Sequence, residues 1–512
     1  MFAHLFYILA IASIAISVPD VAYSEKSRQV LIGIGAIGVW RYGWGLTHLL
    51  RSIWFKRVWF PAQRRRAEAQ VENVGHAHAF FLITSFRIDQ PTTTRVYRGL
   101  FEAAAQAPAG ATIVSSIVEL GDQRLIASLA RNMFGDDLPF RLKFVRIAGT
   151  GKRDALAHGF RAVRAFDPGP DDTLSVVDGD SVVPADVIAK CAPFFSANPS
   201  LGALTTDEIC TVEGAEIFRQ WYSLRFAQRQ ILMCSNGLAR RVLTLTGRMS
   251  MFRAQLACTD EFIAGIEHDT IEHWRLGQIK MLTGDDKSSW YWLLSRGYEM
   301  YYVPDVQVDT IEQPPHPSFW RSATVLMTRW FGNMLRTNSR ALALGPWRTG
   351  WFTWISVFDQ RISMWTCLSG LTLALLGAVF VSPWTLMFYG LWVAVSRYIV
   401  ALSLLTARPS IFVAYVPLLY FNQIYGSIIK VLVFFRLDRQ KWTRQKTTLR
   451  QSGTPVFDAY KRRSSQLVTA TTVAAYVCVL ALYSGLLAND RRPAIAASNT
   501  SQPFNVQSEL SR

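Results

Sequence analysis

The chain has 512 residues, half of them apolar, and a positive mean hydropathy, which excludes an ordinary soluble enzyme and calls for membrane segments beside two or three domains. Its formal charge of +17 could serve nucleic acid, but the cations gather after apolar runs: Arg51, Lys56, Arg57, Arg64, Arg65 and Arg66 follow one, and Arg436, Arg439, Lys441, Arg444, Lys446 and Arg450 another. Cytoplasmic flanks of membrane spans carry that pattern, so a nucleic-acid partner is set aside.

Residues 1–18 are almost uncharged and close to the roughly 20 needed to cross a bilayer. No Lys or Arg precedes the run and no convincing A-x-A site follows it, which favours an uncleaved anchor over a signal peptide. Val30 to Ile53 form a second span, with Gly33, Gly35, Gly38, Gly43 and Gly45 as close-packing positions. The two make an N-terminal hairpin over 1–53.

From about 75 to 315, within a cytosolic unit assigned to 54–315, short apolar runs alternate with charged, helix-like segments, the texture of a mostly parallel α/β domain. Strands are predicted at 79–84, 112–118, 144–147, 174–177 and 201–204. In such sheets ligands bind outside the carboxyl ends of the strands. The six cysteines, Cys191, Cys210, Cys234, Cys258, Cys367 and Cys478, form no C-x-x-C or Cys/His pair and read as small buried thiols in a reducing compartment.

Residues 316–360 mix Trp, Phe and Arg without a clean apolar run and are predicted to lie as amphipathic helices along the membrane interface. Further spans are predicted at 362–382, 384–405, 411–435 and 467–487, in a membrane region over 361–488 that holds a basic cytosolic loop, 436–463. Residues 489–512 read as a polar, disordered tail. If every span crossed, the basic loop would fall outside, against its charge. The segment 411–435, with Pro409 and Pro417, is therefore predicted to break into a re-entrant or interfacial element.

The strongest chemical signal is Val177-Asp178-Gly179-Asp180, where a buried strand runs into two carboxylates one glycine apart. Hard oxygen ligands suit Mg²⁺ or Mn²⁺ at Asp178 and Asp180; the plainer reading is a strand-to-turn boundary. Next comes Thr283-Gly284-Asp285-Asp286, a carboxylate pair at a helix start, where Asp286 suits a general base and either aspartate could instead cap the helix. Gly149-Thr150-Gly151-Lys152-Arg153 is a Gly-rich helix entry that suits phosphate through Lys152 and backbone N–H groups, without Walker A spacing. Arg329-Trp330 offers a cation and an aromatic surface for a diphosphate or a sugar, or an interface anchor. His268 and His273 are weaker alternatives as metal ligands, because a spacing of five does not place them on one helical face.

In this order, between membrane segments, these elements resemble the processive family-two glycosyltransferases, which include cellulose, chitin and hyaluronan synthases. The resemblance implies an α/β GT-A cytosolic domain inserted between transmembrane helices, metal binding by the D-x-D at Asp178 and Asp180, Asp286 with Asp285 in place of T-E-D, and Arg329-Trp330 as the end of Q-x-x-R-W. Leu326 stands where that motif has Gln, and Glu119 stands near the usual nucleotide-binding Asp. Trp442-Thr443-Arg444 is similar to the W-G-T-R segment of hyaluronan synthases.

The strings ITSFRID (83–89), GTGKRDALAHGFRA (149–162), ALTTDE (203–208), RRVLTLTGRMSMFRA (240–254), EHWRLG (272–277) and TGDDKSSW (283–290) further resemble the alginate-synthase glycosyltransferases. That resemblance implies GDP-mannuronate as donor and an anionic polymannuronate chain as product, made by inversion at the bacterial inner membrane. Lys152, Glu119, Arg329, Trp330 and Arg253 would hold the donor, and Trp330 and Asp207 the acceptor. Implied partners are membrane lipid, a cyclic-di-GMP receptor co-polymerase and a periplasmic export complex; the chain carries no PilZ-like R-x-x-x-R followed by D-x-S-x-x-G. Two other readings stay open, a synthase using a UDP-sugar and an inactive transport or scaffold subunit.

Overall fold

A computed structural model describes residues 2–19, 22, 25–440 and 455–485; Trp442-Thr443-Arg444, most of the basic loop and the 489–512 tail lie outside them. At its centre is an eight-stranded sheet. The strands are β1 (Ala79–Thr84), β2 (Ala111–Ile117), β3 (Arg141–Arg146), β4 (Thr173–Asp178), β5 (Ser181–Val182), β6 (Leu201–Val212), β7 (Met249–Arg253) and β10 (Glu299–Glu312), in the order β3-β2-β1-β4-β7-β6-β10-β5. β8 (Thr270–His273) and β9 (Gly277–Lys280) form a separate ribbon. The AFFLIT and ATIVSSI runs of β1 and β2 are covered on both faces, as continuous apolar strands inside a parallel sheet must be.

The five predicted strands are present, but the sheet is mixed. β3, β2, β1 and β4 are parallel to one another, whereas β7 runs antiparallel to both β4 and β6, and β5 antiparallel to β10. Direction depends on which partners a run meets, and MSMFR carries no mark of it. The four parallel strands end together, and Thr84 sits in register with Asp178.

Helices flank this domain on both sides in the chain. Phe2–Ile16 is a short apolar helix, and Glu25–Trp54 continues through a π turn, Phe55–Trp59, into Phe60–Val74. Among the described residues four helices are long and apolar enough to cross a membrane: Trp351–Phe380, Trp384–Thr406, Tyr415–Phe434 and Pro455–Tyr483. The fold is thus an α/β GT-A domain joined to membrane-length helices.

Two predicted boundaries differ. The helix Trp351–Phe380 runs unbroken through 360, because its polar residues are paired rather than solvated: Asp359 with Arg41 at 2.5 Å, Gln360 with Asn338 at 2.9 Å, and Arg361 with the Ser339 hydroxyl. The predicted break at 411–435 is instead one helix with Pro417 in its first turn, where a missing N–H costs no intrahelical bond. Both of its ends are fastened to the rest of the chain. Tyr415 donates to Ser223 at 2.9 Å and Trp221 to Asn422 at 2.8 Å, while past the other end Arg275 and Arg336 donate to the Phe435 and Leu437 carbonyls.

All six cysteines are unpaired; Cys191, Cys234 and Cys258 are buried, but Cys210 and Cys367 are half-buried and Cys478 is exposed. Burial was expected for all six; the exposed one lies on the helix Pro455–Tyr483, which packs on few neighbours.

Candidate active site

β4 delivers Asp178 to the carboxyl edge of the sheet, and the chain turns at once through Gly179 to Asp180. A Cβ on Gly179 would stand 2.6 Å from Ile88 Cδ1 and 2.8 Å from the Thr84 carbonyl, so only glycine lets the two carboxylates sit this close to β1. The Asp180 carbonyl accepts from the Ile311 N–H of β10 at 2.8 Å, which pins the turn between two strands.

Lys152 opens the helix Lys152–Arg164. Its ammonium lies 2.6 Å from Asp178 Oδ1 and 3.0 Å from Asp285 Oδ2, tying the D-x-D turn to the second acidic pair. Gly284, at φ +82°, is the residue that caps the helix Asp285–Arg296, in a left-handed conformation that glycine adopts without penalty. Neither aspartate is the cap. Both sit in the first turn, where the helix dipole favours negative charge. Behind them Arg153, buried, donates to the Ile266 carbonyl at 2.6 Å, the Thr283 carbonyl at 3.1 Å and the Ser288 hydroxyl at 2.9 Å.

The amphipathic helix Phe319–Ala343 closes the other side. Leu326, Arg329, Trp330 and Asn333 line the same cavity, and their spacing of three and four puts them on one helical face. Thr283 donates to Asn333 Oδ1 at 2.8 Å, and Arg336 donates to the same oxygen at 2.7 Å.

Charge is distributed unevenly among the acids. Burial raises Asp178 to about 6, with Asp180 and Asp285 adding to the rise and Lys152 opposing it; since Asp178 keeps 27% of its side-chain surface, water in the cavity moderates this. Asp285 is held below the usual range because Lys152 and Arg153 outweigh its burial. Asp286 is raised by burial and by Asp285, against Lys287. Burial pushes Lys152 down, but Asp178 and Asp285 more than reverse this and keep it cationic.

The resulting cavity, about 440 Å³, is lined by Asp178, Asp180, Asp285, Asp286, Lys152, Arg329 and Trp330. Three other predicted site residues do not line it. Glu119 precedes the helix Leu120–Phe134 and is exposed, with only its neighbour Val118 reaching the cavity. Arg253, at the far end of β7, binds the Pro170, Phe195 and Asn198 carbonyls and Asp171. Asp207 is buried at 2% exposure and bound to Arg408, Tyr302, Gln230 and Gln307. His268 and His273 also lie elsewhere; His268 is exposed beside Glu267, and His273 Nδ1 accepts from the Arg275 and Leu276 N–H groups.

Sequence reading missed Arg248, Glu312 and Asn333, all on the cavity wall. Arg248 joins Glu312 at 2.6 Å and the buried Glu208 at 3.2 Å. Asn333 had a signal, one helical turn beyond Arg329; Arg248 and Glu312 meet only through the sheet.

A parallel sheet that ends in paired aspartates, a lysine between two acidic turns and an aromatic-cationic helix across the cavity define the class as a GT-A glycosyltransferase. The family described as glycosyltransferase like family 2 matches residues 77–333. Two curated relatives, each named glycosyltransferase alg8, are from Pseudomonas syringae pv. tomato, 44% identical over 93% of this chain and 96% of its own, and from Azotobacter vinelandii, 44% identical over 92% and 95%. The chain therefore belongs to the Alg8 group of family-two glycosyltransferases, the alginate-synthase catalytic subunits. A looser likeness, at 15% identity and a TM-score of 0.45 over 76% of this chain and 98% of the other, is to the mannosyltransferase PcManGT of Pyrobaculum calidifontis, solved with GDP-Man and Mn²⁺.

Proposed function

We propose that this chain polymerises mannuronate from GDP-mannuronate into polymannuronate at the cytoplasmic face of the inner membrane, with inversion at the anomeric carbon, and passes the product between its helices. The observation that carries this reading is the convergence of Asp178, Asp180, Asp285, Asp286, Lys152 and Arg329-Trp330 on one cavity in a chain of the Alg8 group. An inactive scaffold would have no need to keep both acidic pairs in register.

The residues fit a divalent cation. Three neighbouring carboxylates, Asp178, Asp180 and Asp285, repel one another enough to raise Asp178, and added positive charge relieves that repulsion. Among the described residues no group of three or more His, Cys, Asp or Glu side chains makes a complete metal shell, so Asp178 and Asp180 would share Mg²⁺ or Mn²⁺ with the donor phosphates. The ion, when bound, neutralises the leaving diphosphate. Lys152 and the Gly-rich turn before it face the same charge. Asp286, its carboxylate raised and so a better proton acceptor, takes the proton of the acceptor hydroxyl. Trp330 offers a face to the acceptor sugar and Arg329 a cation to the diphosphate. By resemblance, a cyclic-di-GMP receptor co-polymerase, lipid and a periplasmic export complex complete the system.

The test is synthesis from radiolabelled GDP-mannuronate by membranes carrying the chain and its partners. Wild type should make long, alginate-lyase-sensitive product, and Asp286→Asn should lose about 10²–10⁴-fold in rate, the usual worth of a general base. Activity with a UDP-sugar alone would overturn the donor, and full activity of Asp286→Asn the base.

A further inference from the structure

Two cations outside the cavity lack an acid. Arg225, on the helix Glu216–Gly237, lays its guanidinium 3.8 Å from the centre of the Trp330 ring and 5.1 Å from that of Trp221. Lys430, on the helix Tyr415–Phe434, reaches the Ser363 hydroxyl at 3.2 Å and sits 4.9 Å from the Phe331 ring centre. Among the described residues neither forms an ion pair. The charges facing Lys430 include Arg225, Arg41 and Asp359, and Asp359 is already bound to Arg41 at 2.5 Å. Two turns before Lys430, on the same helical face, Gln423 spends its amide nitrogen on the Cys367 carbonyl and leaves its amide oxygen buried without a partner.

An unpaired cation and an unpaired acceptor between apolar helices are each costly to keep, and an ionisable group within membrane-length helices marks a path for a charged or polar substrate. Here the series begins at the ring where the acceptor sugar rests and leads between the helices Phe319–Ala343, Trp351–Phe380 and Tyr415–Phe434. Its chemistry matches a sugar that carries one carboxylate per unit and donates through its hydroxyls.

We propose that Arg225 and Lys430 form a cationic lane that receives the carboxylates of successive uronate units as the chain leaves Trp330, with the Gln423 amide oxygen accepting a sugar hydroxyl. The lane rests on the reading of the product as a polyuronate. It makes Lys430 a determinant of chain length and of acid over neutral polymer.

The experiment uses membranes with the full chain and partners, GDP-mannuronate, and a trimannuronate acceptor supplied as the free acid or as its methyl ester. Wild type should extend the acid at least about tenfold more efficiently than the ester. Lys430→Met, a substitution that removes a buried charge and so is tolerated by the fold, should lose that preference and shorten the product at least about tenfold. Lys430→Arg should restore both, and Arg225→Gln should act as Lys430→Met does. GDP binding by each variant, measured separately, should stay within about twofold of wild type. Wild-type polymer with unchanged length and acid preference in Lys430→Met and Arg225→Gln would overturn the lane alone. Equal use of acid and ester by wild type would also overturn it and leave these cations to a lipid phosphate. A wild type that transfers no mannuronate would overturn the proposed function, and the lane with it.

Discussion

Gly284 and Asn333 are in contact so close that a Cβ on Gly284 would lie 2.9 Å from Asn333 Cγ. The turn that presents Asp285 and Asp286 is therefore wedged directly against the helix that carries Arg329 and Trp330. Asn333 Oδ1 takes bonds from Thr283 and Arg336 together, so base and acceptor platform are held as one unit.

Asn333→Ala should lower kcat about 5- to 150-fold while donor affinity stays near wild type. The substitution leaves two donors without their shared acceptor, and an unmet buried group costs about 1–3 kcal/mol, with tenfold for each 1.4 kcal/mol. Initial rates at saturating donor, set beside GDP binding, give the split. Equal losses in both would place Asn333 in donor binding instead.

Gly247→Ala should act on the opposite half of the cavity. A Cβ there would stand 2.9 Å from Asp178 Oδ2 and 3.2 Å from Lys152 Nζ, so carboxylate and ammonium must both move. The concentration of Mn²⁺ or Mg²⁺ needed for half-maximal rate should rise at least about tenfold, a factor worth about 1.4 kcal/mol, with the fold intact by melting temperature. An unchanged metal requirement would count against Asp178 as a ligand.

The pH profile should place the acid limb of kcat above the ordinary aspartate range, because Asp286 must be ionised to accept a proton and burial with Asp285 raises it. Lys287 opposes that rise, and burial brings Lys287 itself down to about 8, so it remains a cation on the acid side. Lys287→Met removes that cation, raises Asp286 further and should shift the acid limb to higher pH. A shift to lower pH would reverse the assigned sign.

Glu208 is 1% exposed and pairs with Arg229 and Arg248. Glu208→Gln leaves these guanidinium groups facing one another without an acid, a loss of about 3–5 kcal/mol for a broken buried pair, and should lower the melting temperature by about 6–20 °C. The two arginines outweigh burial and hold the Glu208 pKa below its ordinary value. Its contribution is therefore complete above the unfolded value of about 4.3 and lost as pH falls through the folded one. Thermal melts at pH 7 and pH 4 should show the variant and wild type converging at the lower pH.

What could be read in advance was whatever declares itself within a few residues. Ala79–Thr84 and Thr173–Asp178 are continuous apolar runs, and Asp178-Gly179-Asp180 and Gly284-Asp285-Asp286 are compact strings, so strand ends and acidic turns were visible. What could not be read depends on partners far along the chain. Asp207 lies in a string shared with the resembled family, yet its carboxylate faces Arg408, 201 residues later, and no local pattern gives the direction of a side chain on β6. Arg253 is diverted in the same way by carbonyls at 170, 195 and 198. The missed Arg248 and Glu312 are brought together only where β10 crosses the sheet, and the helix through 360 looked interrupted because Asp359 and Arg361 have partners that are remote in sequence.

The π turn at Phe55–Trp59 sets a phase. Each residue advances an α-helix by about 100°, and a π turn holds one residue more than the regular spiral would. Phe60 and Ala67 face inward at 6% and 0% exposure, Arg64 lies 4.7 Å from the centre of the Phe194 ring, and Phe55 fills the space where Gly237 has no Cβ. Deleting any single residue from 55–59 would turn the segment Phe60–Val74 by about 100° and carry Phe60, Arg64 and Ala67 off the catalytic domain together. The connection between the N-terminal helices and the domain is therefore tolerant of changed side chains on its outer face and intolerant of a changed residue count.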